Sequence, residues 1–178
     1  MANFPVVSTP VNTTPTDRSG TVNGCLGAAA VSAAGSGYAV NDTITFVGGA
    51  VIKVTTVASG GVTAATVLTP GSLASGSIPA NPVSQVSSSG GGTGAQFILT
   101  WLGVATSMVS SNTSRKSLEV VNPGSQVLWV SPTTTAAANG PGSLPVYPGG
   151  SWVPPLPYSG AISVYGPAAG QPVTIYEG

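Results

Sequence analysis

Residues 118–130, LEVVNPGSQVLWV, decide the fold, because two runs of β-branched, aliphatic and aromatic residues, 118–121 and 127–130, flank Asn122-Pro123-Gly124. Such side chains suit a pleated surface. Asn-Pro-Gly suits a reversal: Pro fixes φ and lacks an N–H, and Gly accepts backbone angles closed to other residues. The same grammar continues downstream. Residues 161–165 (AISVY) and 173–176 (VTIY) read as strands, with Asn139-Gly140-Pro141-Gly142 and Pro167-Ala168-Ala169-Gly170 in the gaps. Short strands at this spacing, with turn chemistry between them, predict a sandwich or barrel. No segment sustains a 3.6-residue apolar period, so almost no helix is expected.

Working upstream, residues 95–101 (AQFILTW) read as a buried strand, and residues 43–47 and 50–57 read as a hairpin about Gly48-Gly49. Gly60-Gly61 predicts another turn before residues 62–69, and Asn23-Gly24 a turn after a first short strand at 17–22. Residues 25–34 are small and apolar. Ala28-Ala29, Val31 and Gly35-Ser36 are echoed at an offset of thirty-six by Ala64-Ala65, Val67 and Gly71-Ser72, the mark of a pseudo-duplicated β-module. Two copies are too few for a solenoid. The Ser/Gly/Pro-rich stretch 70–94 is expected to be a long loop. Residues 1–16 carry Pro5, Pro10 and Pro15 and no charge, which disfavours helix and predicts an extended arm. Two readings of the arm stand: a frayed end, or an element that orders along a neighbouring subunit.

Charge is the most informative part of the composition. Apolar residues make up 42% of the 178, enough for a core, but charged residues make up only 4%, against roughly 25% in an ordinary soluble domain. Disordered chains are poor in apolar residues, so disorder does not account for this. Four cations and four anions give a net charge of zero. The cations are too few and scattered to track phosphates, so neither nucleic acid nor a membrane surface is an expected partner. The apolar runs are strand-length and fall well short of the ~18 residues of a spanning helix. Met1-Ala2-Asn3-Phe4-Pro5 has neither the basic nor the apolar region of a secretory signal. A chain without self-repulsion fits a life docked in a large assembly.

The residues of catalysis are scarce. There is no His to shuttle protons, Cys25 is the single cysteine, and the four acids are scattered from Asp17 to Glu177. No metal site or cofactor is expected, and no enzymatic activity. Cys25 reads as a small buried hydrophobe. Asp42 reads as a turn residue capping backbone amides, and Gly90–Gly94 lacks the Lys and following helix of a phosphate loop.

The run RKSLEVVNPGSQVLWVSP at 115–132, with PVYPGGSW at 145–152 and GAISVYGPAAGQPVTIYEG at 160–178, resembles a small β-domain of tailed-bacteriophage structural proteins. In that pattern an Asp-Arg-Ser-Gly-Thr strand directly precedes the Arg segment. Here Asp17-Arg18-Ser19-Gly20-Thr21 matches it but is separated from the Arg segment by residues 22–114, which include the eighty-residue stretch 23–102. The resemblance therefore implies a β-sandwich or barrel built from 17–22 and 103–178, carrying an inserted Gly/Ser-rich β-module at 23–102, behind an N-terminal arm at 1–16. Within the insert, Gly37-Tyr38-Ala39-Val40-Asn41-Asp42-Thr43-Ile44-Thr45 is similar to a second virion motif, Gly-Tyr-x-x-Gly-Asp-x-(hydrophobic)-Thr, with Asn41 in place of the second Gly. Asn tolerates the left-handed conformation, so the turn is expected to be kept.

The resemblance implies a virion protein, made in the host cytoplasm and placed on the capsid surface as a decoration protein or head fibre. Its implied partners are a major capsid protein or other virion protein and further copies of itself, with three copies expected around an axis. The alternative is a tail-fibre or adaptor component binding host surface polysaccharide. Candidate interface residues are Phe4, Pro5, Val6 and Val7 on the arm, Arg115 before its strand, and Tyr147, Trp152 and Tyr158 in the Pro-rich segment 144–158. Arg115, with Lys116 and Glu119 nearby, reads either as a solvated rim or as part of a subunit-interface pair. The three rings read as a cover over the sandwich edge, as subunit contacts, or as a sugar platform. Trp101 and Trp129 read as core.

Overall fold

The computed structural model describes residues 16–178. The expectations for the arm, including Phe4, Pro5, Val6 and Val7, lie outside the described residues. The fold is all-β, and among the described residues there is no α-helix.

The chain opens with two short strands, β1 (Thr16–Asp17) and β2 (Gly20–Thr21). The next stretch holds β3 (Gly24–Ser36), β4 (Thr43–Thr45), β5 (Val51–Ala58), β6 (Gly61–Thr69), β7 (Val83–Ser84), β8 (Ser87–Ser88) and β9 (Thr93–Gly103). The last stretch holds β10 (Thr106–Val109), β11 (Leu118–Val121), β12 (Leu128–Ser131), β13 (Leu144–Val146), β14 (Ser151–Trp152), β15 (Ile162–Tyr165) and β16 (Pro172–Glu177).

Alternation explains the outer sandwich. One sheet runs β1-β16-β11-β14, with β2 also on β16, and the other runs β10-β15-β12-β13. Leu118, Val120, Val173 and Ile175 point inward from the first sheet, and Leu128, Val130, Ile162 and Val164 from the second, sharing one core. These side chains are almost fully buried, each worth roughly 1.5–3 kcal/mol against exposure. Trp129, expected in the core, lies between the inward-facing Leu128 and Val130. Period two places its ring on the outer face, beside Tyr165 across the ladder, where it is half-buried.

Residues 24–103 build a second pair of sheets, β3-β9-β7 and β6-β5-β4-β8, around their own core. Phe46 and Phe97 meet edge-to-face at its centre, with centroids 5.4 Å apart. The hairpin β5–β6 turns through Ser59 and Gly60, both at positive φ, as a two-residue turn matched to strand twist requires. Asn41 has φ 77°, the left-handed conformation expected of it, and Asp42 accepts the amide of Ala39.

Two expectations change here, and the run 25–34, so far without an element, gains one. The small-residue run 25–34 lies in β3, a 13-residue strand paired with β9 from Gly24↔Gly103 to Ser36↔Thr93. Asn23-Gly24 is not a hairpin turn; it is where the chain passes from the outer sandwich into this strand. Residues 70–94 are not one loop: β7 pairs with β9 and β8 with β4. The side chain of Asn81 extends that pairing, donating to the Leu99 carbonyl and accepting its amide. The first echoed segment lies in β3; of the second, Ala64-Ala65 and Val67 lie in β6 and Gly71-Ser72 just beyond it, and Leu26 N–H to Pro70 O and Tyr38 N–H to Gly60 O tie the chain beside the ends of the two strands.

The two bodies meet at the root of the insert. Val104 N–H donates to Asn23 O, and Gly103 N–H to Pro167 O. The loop 167–170 leans on the insert, bridging Ala168 to Leu102 and packing Ala169 against its core.

Candidate interaction surface

Three features converge where β1 leaves the chain's first described residue: a buried ion cluster, a bare outer sheet face and an apolar recess. Register places them. Thr16, Glu177 and Leu118 form one row across the sheet, and Asp17, Tyr176 and Glu119 the next. Alternate rows face opposite ways, so Glu177 and Leu118 turn inward while Tyr176 turns outward.

Arg115 lies inside, 3% exposed. Its Nε donates to Glu177 Oε1 at 2.9 Å, Nη1 to the carbonyls of Tyr158 (2.9 Å) and Gly160 (2.7 Å), and Nη2 to Ser110 O (2.8 Å). Glu177 also accepts Asn112 Nδ2 on Oε1 and Arg18 Nε on Oε2. Asn112 foremost, and then Arg115 and Arg18, hold the Glu177 carboxyl below its usual range, against the upward push of burial. Both readings of Arg115 are therefore corrected. Its side chain is enclosed, so it is no solvated rim residue, and its ion pair is with Glu177 of the same chain rather than with a neighbouring subunit. The guanidinium is a clamp tying the loops around 110 and 158–160 to the last strand.

The expected rings divide. Trp152 and Tyr158 pack against the outer-sandwich core, and the Tyr158 hydroxyl donates to Pro132 O. Both cover the core, as the first of their three readings has it. Tyr147 stands apart at 64% exposed.

Other side chains supply the bare surface. Val153 (58% exposed), Leu156 (76%) and Tyr176 (43%) cluster on the outer face. A recess of about 350 Å³ is lined by Ser117, Leu118, Glu119, Val153 and Tyr176. A second, of about 180 Å³, continues along 153–157 and shares Ser117, Leu118 and Val153 with it. Sequence reasoning missed these residues because Val and Leu in a strand-rich chain look like core. The one available signal was the cluster Pro154, Pro155 and Pro157, which cannot join a sheet interior.

A further concavity, about 510 Å³, is lined by Ala105, Ser107, Pro132, residues 133–135 and residues 161–163, with neither an aromatic ring nor an ionisable group. Two of its hydroxyls are already used: Ser163 accepts Ala136 N–H, and Thr134 donates to Pro141 O. Among the described residues no three His, Cys, Asp or Glu side chains gather in one place. Asn122 and Gln171, which sequence reasoning also passed over, are internal ties. Asn122 Nδ2 donates to the carbonyls of Gln126 and Val146, and Gln171 Nε2 to Gln126 O.

Comparison with family models, curated proteins and solved structures finds no match.

Proposed function

We propose that this chain is a structural component of a tailed-bacteriophage virion, a capsid decoration or head-fibre protein without enzymatic activity. It docks on the assembled shell as a homo-oligomer, with three copies around an axis. The observation that carries the reading is the surface. Of eight Lys, Arg, Asp and Glu side chains, Arg115 and Glu177 are buried against each other, so six serve the entire exterior. That exterior bares Val153, Leu156 and Tyr176 on one face. A surface so poor in charge loses little desolvation energy on docking to another protein. Binding only the assembled shell then stabilises that shell by mass action. The likeness of residues 115–178 to phage β-domains supports the virion context.

Co-sedimentation with particles tests this: purified chain added to stripped particles should pellet with them and raise their resistance to heat. Removal of residues 1–16 should weaken that binding, and undiminished binding would reject a role for the arm. Images of particles with density for the chain at neither head nor tail would sink the whole reading.

The second reading is a tail appendage that binds host polysaccharide, and the exposed ring of Tyr147 favours it. It predicts that Tyr147→Ala lowers adsorption to host cells while leaving capsid stability unchanged.

A further inference from the structure

We propose that the outer face bearing Val153, Leu156 and Tyr176 is the contact between copies of this chain, closed by an ion pair from Lys116 of one copy to Glu119 of the next. It rests on the homo-oligomer of the proposed function and names the surface that builds it.

The charges mark this face. Of the chain's eight charged side chains, Arg18, Arg115 and Glu177 hold one another. Asp17 and Asp42 accept the backbone amides of Ser19 and Ala39. Among the described residues, that leaves Lys53, Lys116 and Glu119 with neither an ion pair nor a side-chain hydrogen bond. Lys53 lies on the insert, in β5. The other two border the adjoining recesses, Lys116 the smaller and Glu119 the larger, and the recesses meet at Ser117 and Val153.

Glu119 constrains the partner. It stands opposite Tyr176 in the ladder and lines the same recess as Val153. A half-buried carboxylate thus sits between two bare apolar side chains. Whatever covers this patch strips water from that carboxylate, which is costly unless the cover brings a cation. A second copy brings one, because its own Lys116 stands exposed beside the same patch. The face is therefore complementary to itself. About a rotation axis beside the recess, two-fold or three-fold, Lys116 of each copy meets Glu119 of the next. A net charge of zero leaves no repulsion to hold the copies apart.

Strand addition does not make this contact. Residues 153–157 take part in no hydrogen bond among the described residues, yet Pro154, Pro155 and Pro157 have no N–H with which to extend a sheet. The copies meet through side chains, with Leu156, the most exposed of the three, as the apolar anchor.

Sedimentation velocity of the full chain with a charge swap tests this. Wild type should sediment as an oligomer. Lys116→Glu and Glu119→Lys each set like charges against each other and should weaken self-association about a hundredfold. The double variant Lys116→Glu, Glu119→Lys restores opposite charges and should recover the wild-type mass, which a folding defect would not allow. Leu156→Asp should sediment as a monomer with an unchanged circular dichroism spectrum. A wild-type oligomer untouched by either single swap and by Leu156→Asp overturns the assignment of this face and leaves the homo-oligomer standing. A double variant no more associated than the single ones overturns the ion pair. A wild-type monomer overturns the homo-oligomer and this contact together; loss of pelleting with particles in Leu156→Asp would then assign the face to the shell.

Discussion

Arg115 and Glu177, sixty-two positions apart in the chain, meet at 2.9 Å with the arginine side chain fully enclosed. Four acceptors surround one guanidinium: the carboxylate and the carbonyls of Ser110, Tyr158 and Gly160. Arg115→Ala leaves a buried carboxylate with one fewer cation and three carbonyls without their donor, a change that costs about 3–5 kcal/mol. Arg115→Lys keeps the charge but cannot fork to all four acceptors, so its loss should fall between wild type and Ala. Urea denaturation of the three proteins measures both. Equal stability of Ala and wild type would remove the clamp from the account.

The same cluster sets an acid limit. Asn112, Arg115 and Arg18 hold Glu177 below its ordinary value of 4.5 in the folded chain. A carboxyl with a depressed folded pKa stabilises the fold fully above its unfolded value and loses that contribution as pH falls through the folded one. Stability should therefore be flat above about pH 5.5 and decline below 4.5. Asp17, lowered by its hydrogen bonds with Ser19, acts in the same direction from the surface. Glu177→Gln should lower stability at pH 7 and flatten the acid decline. Denaturation midpoints at pH 7 and pH 3.5 for both proteins provide the measurement.

Gly103 sits at the hinge between the two bodies. A methyl group there would land on the Gly166 carbonyl oxygen and come within 3.0 Å of Ala168 O, both backbone atoms that cannot swing aside. Gly103→Ala should cost about 1–3 kcal/mol through backbone displacement. The loss should appear as faster amide exchange at Ala169, Gly170, Gly103 and Val104, whose bonds close the junction.

Trp152 and Tyr147 should separate stability from surface. Trp152 lies on the core but is only half-buried, so Trp152→Ala should cost about 2 kcal/mol, below the ~3–5 of a fully enclosed ring. Tyr147→Ala removes an exposed ring and should stay within about 0.5 kcal/mol of wild type. Thermal melts suffice to rank them, and the opposite order would contradict the placement of both rings.

The strands of the outer sandwich were legible because Val120, Val130, Ile162 and Ile175 obey the period of two and stand beside Pro and Gly. The left-handed Asn41 was legible from its motif. Other features were hidden for physical reasons. Strand β3 is built mostly from Ala, Ser and Gly, whose small side chains carry little amphipathic signal although the backbone pairs along almost its full length. Strand β13 contains Pro145, which a sheet edge tolerates and a sequence reading counts against. At the candidate surface, Arg115 read as exposed because local sequence does not reveal a partner sixty-two residues away. Val153 and Leu156 went unremarked within the Pro-rich segment 144–158, because residue type alone does not tell a filled recess from a bare one.

The pairing of Gly24 with Gly103 puts the insert's entrance and exit side by side. A segment of eighty residues is thus plugged into its host through a doorway one ladder rung wide. Splicing residue 22 to residue 104 through a short bridge would leave the host's inward-facing side chains untouched. An unrelated cassette could be grafted through the same gap. A lineage that must vary what it displays, while preserving what it grips, could exchange such cassettes at little structural risk to the rest of the chain.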